Sequence, residues 1–485
     1  MLVNALRGIA QAVGVPLIPG RASGMPCDLV DLSTRAVISR PELARFHANV
    51  RKDLPLAERF LEEHHSGVFV LGSARTPPGS PDFEFGEEVG EALAEVGADL
   101  FSGGGPGLMW AGPLGFLRAR DRFVGPPQQG VPRTLAVSLD NLPREQRVND
   151  AIEESATLSE FLFRKVALYR NGRAFVSLPG GFGTLDEVFE IWAQTARDQH
   201  KGHLGMFQTS FWRPILNSIY DVAVRERKLI DPSSWEQMRY TDDVRRFLSN
   251  MPSKEEVRAG QEPFASVAAR MQAEITDTVQ ILDDLPEAVV MTGGRGLAPD
   301  DPTLSTLRTL SRMLARDGQT LRVGNPPEIA AAVVGGALEG DPEACVQALK
   351  LKSEDLPDGN GLQVVAEQTD FILHRELLTR SARGLVYAPG GLGTLSSLFA
   401  ALTQMQTRKR ERVPIVLVGK SFWEPIFQAI QAAMLNSERQ YIGEDDMSLV
   451  TITDDPQVAY NAVRGFPLHL RWPEVTCPDT AKAPV

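Results

Sequence analysis

Pro179-Gly180-Gly181-Phe182-Gly183-Thr184-Leu185-Asp186-Glu187 recurs in altered form, 210 positions later, as Pro389-Gly390-Gly391-Leu392-Gly393-Thr394-Leu395-Ser396-Ser397. Each copy follows a short apolar run, Ala174 to Leu178 in the first and Leu385 to Ala388 in the second, and precedes a helix-like segment. An apolar run, a glycine turn and a helix form the strand–turn–helix unit of a parallel α/β sheet. The first copy ends in a carboxylate and the second in a serine. Chemistry that depends on Glu187 is therefore expected in one half only.

Other segments repeat with these two. Val68-Phe69-Val70-Leu71 reads as a buried strand and leads into Gly72-Ser73-Ala74-Arg75; Ala288-Val289-Val290-Met291 leads into Gly293-Gly294-Arg295-Gly296. Phe161-Leu162-Phe163-Arg164-Lys165 matches Phe371-Ile372-Leu373-His374-Arg375 at the same offset as the glycine motif, and Trp212-Arg213-Pro214-Ile215 resembles Trp423-Glu424-Pro425-Ile426. This spacing is that of a duplicated domain and not of a small solenoid repeat. The expected fold is α/β: two Rossmann-like domains, each a parallel sheet flanked by helices, with ligands at the carboxyl ends of the strands. The expected divisions are an extension over 1–60, a first domain over 61–250, a connector over 251–284, a second domain over 285–465 and a poorly ordered tail over 466–485. A helix is expected from Pro41 to His64. Another is expected from Ala151 to Tyr169, with Leu158, Phe161, Leu162, Val166 and Tyr169 on its apolar side.

The bulk composition narrows the function. At 485 residues the chain exceeds one ordinary core. Hydrophobic content of 43% and charged content of 23% are those of a globular protein. The formal net charge of −12 disfavours a nucleic-acid partner, which needs a basic face. Cys27, Cys345 and Cys477 are far apart and form no CxxC pair, so neither a disulfide framework nor a zinc site is expected. Met1 to Gly20 lacks a clean signal-peptide core, and no run reaches the roughly 18 apolar residues of a membrane span. A reducing, cytoplasmic setting without membrane contact is the expectation.

Two glycine-rich turns follow strands in the first half, at Ser102-Gly103-Gly104-Gly105-Pro106-Gly107 and at Gly180 to Gly183. Exposed backbone N–H groups at a helix start favour an anion, and glycine lets the backbone approach it. Two such turns in one domain point to a phosphate site. Thr184-Leu185-Asp186-Glu187 also fits a capping box, with Thr184 as N-cap and Glu187 reaching back to it. Arg164 reads either as a solvated helix arginine or as a fork donor for phosphate or a leaving base. The second half carries His374 and Ser397 in the places of Arg164 and Glu187. Loss of one shared task would produce both changes, and so would two independent drifts.

Gly72-Ser73-Ala74-Arg75, the Gly103 to Met109 turn, Arg164-Lys165 and the Pro179 to Glu187 motif together resemble the Lonely Guy (LOG) family over roughly residues 65–245. That family includes cytokinin riboside monophosphate phosphoribohydrolases and bacterial nucleotide 5′-monophosphate nucleosidases. The second half resembles it more weakly, with Gly324-Asn325-Pro326-Pro327 in place of the triple-glycine turn. The resemblance implies hydrolysis of the N-glycosidic bond of a nucleoside 5′-monophosphate to free base and ribose 5-phosphate, with no cofactor and no metal. It implies Arg164 and Glu187 as the catalytic pair, with Asp186 a lesser helper. It also implies Gly103, Gly104, Gly105, Gly107, Lys165, Gly180, Gly181, Gly183 and Thr184 around the phosphate, and Ser73 and Arg75 in a first substrate-contacting turn. Many bacterial relatives have an acidic residue where this chain has Trp110, which leaves base preference open. The family commonly dimerises. A tandem chain is expected to pack its halves as an internal pseudo-dimer, with a regulatory nucleotide on the second half or a purely structural role for it, and with further homo-oligomers open. The alternatives are a non-catalytic nucleotide or molybdenum-cofactor carrier, a single-stranded DNA binder disfavoured by the acidic charge, and NAD chemistry disfavoured by the lack of a dinucleotide fingerprint.

Overall fold

A computed structural model describes residues 40–64, 66–123, 131–140, 148–259, 261–324, 326–357, 360–435 and 438–466. Residues 1–39 of the expected extension and 467–485 of the expected tail lie outside the described residues. Two seven-stranded sheets organise the rest. The first holds β1 (Gly67–Leu71), β2 (Asp99–Ser102), β3 (Thr134–Leu139), β4 (Glu154–Leu158), β5 (Gly172–Ser177), β6 (His203–Met206) and β7 (Met238–Tyr240). The second holds β8 (Ala288–Thr292), β9 (Thr320–Val323), β10 (Val346–Leu351), β11 (Leu362–Gln368), β12 (Ala382–Tyr387), β13 (Ile415–Leu417) and β14 (Val450–Ile452). Their orders are β4-β3-β2-β1-β5-β6-β7 and β11-β10-β9-β8-β12-β13-β14, the same topology twice. The paired strands run parallel, for example Val68 opposite Leu100 and Ala174, and Val289 opposite Leu321 and Gly384. The strand order reverses between β1 and β5, and again between β8 and β12. In parallel α/β sheets that reversal, at the carboxyl ends of the strands, is where ligands bind.

The expected helix over 151–169 is corrected. Glu154 to Leu158 form the edge strand β4, in register with β3 from Leu135–Glu154 to Leu139–Leu158. The helix begins only at Phe161. The Asp53 carboxylate, on the helix Pro41–Glu63, accepts the N–H groups of Ser159 (2.8 Å) and Glu160 (2.7 Å) and caps that start. Leu158 and Phe161 lie three apart, so their spacing mimics one continuous helix face.

Glycines set the helix packing on the outer face of each sheet. A methyl group at Gly90 would overlap the Gly112 carbonyl, and one at Gly115 the Glu87 carbonyl, so Pro81–Glu95 and Leu108–Phe123 cross backbone to backbone. Gly336 and Gly340 meet the Arg308 and Arg312 carbonyls in the same way in the second half. The inner faces share one continuous core. Phe46, Phe163 and Trp192 of the first half belong to the same buried cluster as Met271, Phe399 and Trp423 of the second. Helix Phe182–Ala196 lies against Leu392–Gln406, with Phe399 stacked 5.4 Å from Phe189. Helix Pro41–Glu63 lies against Phe264–Asp284, and each of these precedes the first strand of its sheet. Among the described residues no helix is long and apolar enough to cross a membrane.

Candidate active site

Three turns meet at the carboxyl ends of β1, β2 and β5, at the reversal of strand order. The Ser73 N–H donates to the Pro179 carbonyl (3.0 Å), and the Leu108 N–H to the Ser73 carbonyl (2.8 Å), which ties the Gly72–Arg75 turn to both glycine turns. The Arg75 N–H donates to Ser73 Oγ at 2.9 Å. Gly104 and Gly107 have φ of +77° and +65°, in the left-handed region that favours glycine. A methyl group at Gly107 would run into the Ser73 carbonyl, and one at Gly180 into the Thr184 hydroxyl. The backbone must therefore be bare at both positions. Asn149, which no motif in the sequence marked, secures the first turn: Nδ2 donates to the carbonyls of Gly104 (2.9 Å) and Gly105 (2.7 Å).

The helix after the second glycine turn begins at Phe182 with Gly181 as N-cap, and no side chain caps it. The capping-box reading of Thr184 and Glu187 is thereby corrected. Thr184 is already inside the first turn, its N–H bonded to the Gly181 carbonyl at 3.1 Å. Glu187 is free to face Arg164 instead. Arg164 NH2 lies 2.7 Å from Glu187 Oε1, and Arg164 Nε donates to the Val137 carbonyl of β3 at 3.0 Å. Both residues are only 8% exposed, so Arg164 is no solvated helix arginine. Its guanidinium rests 5.8 Å from the Phe161 ring, and a methyl group placed on Gly103 would come within 3.1 Å of NH2. One fork donor is thus held between the first glycine turn and the carboxylate beside the second. A fixed arginine–carboxylate pair next to a backbone anion cradle can bind a phosphorylated molecule and place a general base on it.

Lys165 stands elsewhere. It is buried on a neighbouring face of the same helix, about 100° around the axis, with Nζ 2.5 Å from Asp186 Oδ1 and 3.8 Å from Glu190 Oε2. Glu190 also binds Arg375 of the second half, whose other arm meets Ser396. Burial pushes the Lys165 ammonium down from its usual value, opposed by Asp186. Lys165 and Asp186 therefore belong to the seam between the halves, while Ser73, Arg75, Arg164, Thr184 and Glu187 surround the turns.

In the corresponding place of the second half the replaced residues have other partners. His374 Nδ1 lies 3.0 Å from Gln368 Oε1, and Ser397 Oγ lies 3.2 Å from the Tyr387 hydroxyl. Tyr387 takes the place of Ser177, a third replacement beside His374 and Ser397 that comparison of the two copies could have found. A methyl group at Gly393 would come within 2.9 Å of the Phe371 ring, which lies 4.0 Å under the Arg197 guanidinium of the first half. Leu378 packs against Gly324. A cavity of about 160 Å³ remains, lined by Ala193, Arg197, Ile230, Leu392 and Gly393 among others. It is smaller than the roughly 300–1,000 Å³ of ordinary ligand pockets.

The same burial makes a pH prediction. Desolvation pushes His200 and His374 each from 6.5 to about 4, so both are neutral in the fold. The unfolded chain binds these protons first. The stabilisation is complete above pH 6.5 and is lost as the pH falls toward 4, by roughly 3 kcal/mol per histidine. Urea midpoints at pH 7 and 4.5 will fall accordingly, and His374→Gln will flatten part of that slope.

The family model described as "possible lysine decarboxylase" matches residues 127–251 and 332–463, more than half of the chain and one segment in each half. The chain belongs to this family, the LOG family. Among curated LOG proteins, the cytokinin riboside 5′-monophosphate phosphoribohydrolase LOG of Oryza sativa subsp. japonica is 32% identical over 174 residues, which are 35% of this chain and 62% of that protein. LOG7 of Arabidopsis thaliana, of the same description, is 32% identical over 142 residues, 29% of this chain and 59% of that protein. The chain thus spans less than two thirds of the length of either relative. Among solved structures, the molybdenum cofactor binding protein of Rippkaea orientalis is 16% identical and covers 38% of this chain and 98% of its own, with a TM-score of 0.27.

Proposed function

We propose that the first half of this LOG-family chain hydrolyses the N-glycosidic bond of a nucleoside 5′-monophosphate, and that the second half has no chemistry of its own. The observation that carries this reading is the buried Arg164–Glu187 pair, 2.7 Å apart beside two glycine turns. Backbone N–H groups of the turns and the start of helix Phe182–Ala196 would hold the phosphate. With the phosphate anchored, the ribose lies toward Glu187. The bond from the anomeric carbon to the base nitrogen breaks with positive charge building on the sugar, as in sugar hydrolases. Glu187 stabilises that charge and takes a proton from the attacking water, whose oxygen bonds to the anomeric carbon. The departing base takes the electron pair of the broken bond and gains the proton that Glu187 took from water, which restores the carboxylate. Arg164 holds Glu187 in place and binds the substrate. The products are free base and ribose 5-phosphate. The same reading makes 61–250 the catalytic domain, 285–465 its degenerate copy and the whole an internal pseudo-dimer in the cytoplasm.

The test is incubation of the pure protein with a panel of purine and pyrimidine 5′-monophosphates, detecting free base and ribose 5-phosphate. Release from one or more nucleotides is expected, and the panel ranks the bases. Tight binding without release would move the protein to the carrier class.

A further inference from the structure

Two buried hydroxyls of the first half have no hydrogen-bond partner among the described residues: Tyr169 on helix Phe161–Asn171 and Ser177 at the end of β5. A hydroxyl taken out of water without a partner destabilises a fold, so each calls for a reason. Ser177 shares a face of β5 with Phe175, whose ring lies 6.5 Å from that of Tyr169. Tyr169 follows Lys165 by one turn of the helix. Burial first, then the Asp186 carboxylate and more weakly that of Glu187, push the phenol well above its usual range, against Arg375 and Arg164. The phenol therefore keeps its proton at neutral pH and stands near two carboxylates as a donor.

The second half satisfies both hydroxyls. The two turns are built alike: Gly181 and Gly391 cap their helices at φ/ψ of −92°/−153° and −88°/−156°, and the Ser73 and Gly294 N–H groups donate to the Pro179 and Pro389 carbonyls at 3.0 and 2.9 Å. Ser177 therefore leaves its strand where Tyr387 does. The Tyr387 hydroxyl reaches Ser397, which has the place of Glu187: it lies 3.2 Å from Oγ and donates to the carbonyl at 3.3 Å. Thr379, in the place of Tyr169, donates to the Arg375 carbonyl at 3.2 Å and accepts from Arg410 NH1 at 2.9 Å. The copy without the arginine and the glutamate has both hydroxyls bonded. The copy that has them leaves both open.

We propose that Tyr169 and Ser177 are positioning residues for Glu187: their hydroxyls, directly or through one bound water, donate to its carboxylate when the substrate draws on the Arg164 fork. This rests on the nucleotide reading of the site given above. Before substrate arrives, Arg164 NH2 holds Glu187 Oε1 at 2.7 Å. A buried carboxylate whose donor is shared with substrate is poorly solvated and tends to take up a proton. Two neutral hydroxyls keep it ionised and fix its direction, so it stays able to accept the proton of water. The other charged groups nearby, Lys165, Asp186, Glu190 and Arg375, bind one another and are not released by a substrate.

The test uses the full chain with Tyr169→Phe, Ser177→Ala and Ser177→Thr, and with Tyr387→Phe as the control in the second half. Tyr169→Phe and Ser177→Ala are expected to lower kcat about tenfold with KM changed by less than about twofold, and to move the acid limb of the kcat/KM profile upward by about one pH unit. Ser177→Thr keeps a hydroxyl and should hold kcat within about threefold of the parent. Tyr387→Phe should leave kcat and the acid limb unchanged. Hydroxyls that are merely unpaired give the opposite result: Tyr169→Phe and Ser177→Ala then gain stability in urea at unaltered kcat, which overturns the proposal. An equal loss of kcat in Tyr387→Phe also overturns it, since that marks a loosened core. If the unsubstituted protein releases no base from any nucleotide, the hydrolysis reading fails. Protonation of Glu187 is then followed with ribose 5-phosphate bound, by the carboxyl carbon signal that Glu187→Gln removes from the glutamate-labelled protein. An upward shift of its midpoint in Tyr169→Phe and Ser177→Ala supports the positioning role alone, and an unchanged midpoint overturns it. A protein that binds no ribose 5-phosphate overturns both.

Discussion

Glu187→Gln is expected to lower kcat by about 10²–10³ with KM nearly unchanged. The substitution keeps the shape of the side chain and an oxygen for Arg164 NH2, 2.7 Å away in the parent, so the pair can persist as a neutral–charged contact. It removes the negative charge that would face the developing positive charge on the ribose, and the base that would take the proton of water. Phosphate anchoring at Gly180–Thr184 does not involve the carboxylate. The loss should therefore appear in the chemical step and not in substrate affinity. Base release under saturating nucleotide, with circular dichroism to verify folding, measures it. Full activity in a folded Glu187→Gln protein would reduce Glu187 to a structural partner of Arg164 and remove the proposed mechanism.

The largest stability effect is expected at Glu190, a residue with no place in the chemistry. Its side chain is completely buried on helix Phe182–Ala196, within reach of Lys165 (3.8 Å), bonded to Gln194 (3.2 Å) and paired with Arg375 across the seam. Asp186 is the other carboxylate paired with this cluster, at 2.5 Å from Lys165. Glu190→Ala would leave the buried Lys165 and Arg375 with Asp186 and with Glu376, which is already paired with Arg380. Breaking a buried pair in this way costs about 3–5 kcal/mol, more than the pair adds over a well-packed apolar substitute, because the uncompensated charge remains in the interior. Urea unfolding should show that loss, and Glu190→Gln, which keeps hydrogen-bonding atoms, should show a smaller one. A Glu190→Ala protein as stable as the parent would mean that water or rearranged side chains solvate the seam.

Much of the fold was legible because its signals are local. Val68 to Leu71, Leu135 to Val137 and the apolar runs before each Pro-Gly-Gly motif became strands β1, β3, β5 and β12. The 210-residue offset between copies predicted two equal sheets, and both have the same strand order. Two readings failed where a distant residue decided the outcome. Residues 154–158 carry weak helical spacing, and their strand state comes from pairing with β3 and from Asp53 capping the next helix a hundred positions away in sequence. Thr184 to Glu187 carries a capping-box pattern, but Gly181 starts the helix one turn earlier and Arg164 draws Glu187 toward β3. Helix Pro41–Glu63 was not assignable to the repeat by sequence, because it shares with Phe264–Asp284 only an apolar face and a position before the first strand.

The sequence by itself determined that the chain is a duplicated α/β protein, that its glycine turns follow strands, and that Arg164 and Glu187 survive in one copy while His374 and Ser397 stand in the other. Glycine turns and apolar runs act over a few residues, and the copies could be compared directly. Only the tertiary structure decided that Arg164 meets Glu187 and Lys165 does not join them, and that Arg439 and Tyr441 reach across to Asp82. These are contacts between residues 23 to 359 positions apart in the chain, counting from Arg164–Glu187 to Tyr441–Asp82. They depend on which face of each helix the shared core buries, and a sequence pattern specifies that a face is apolar without specifying what will cover it.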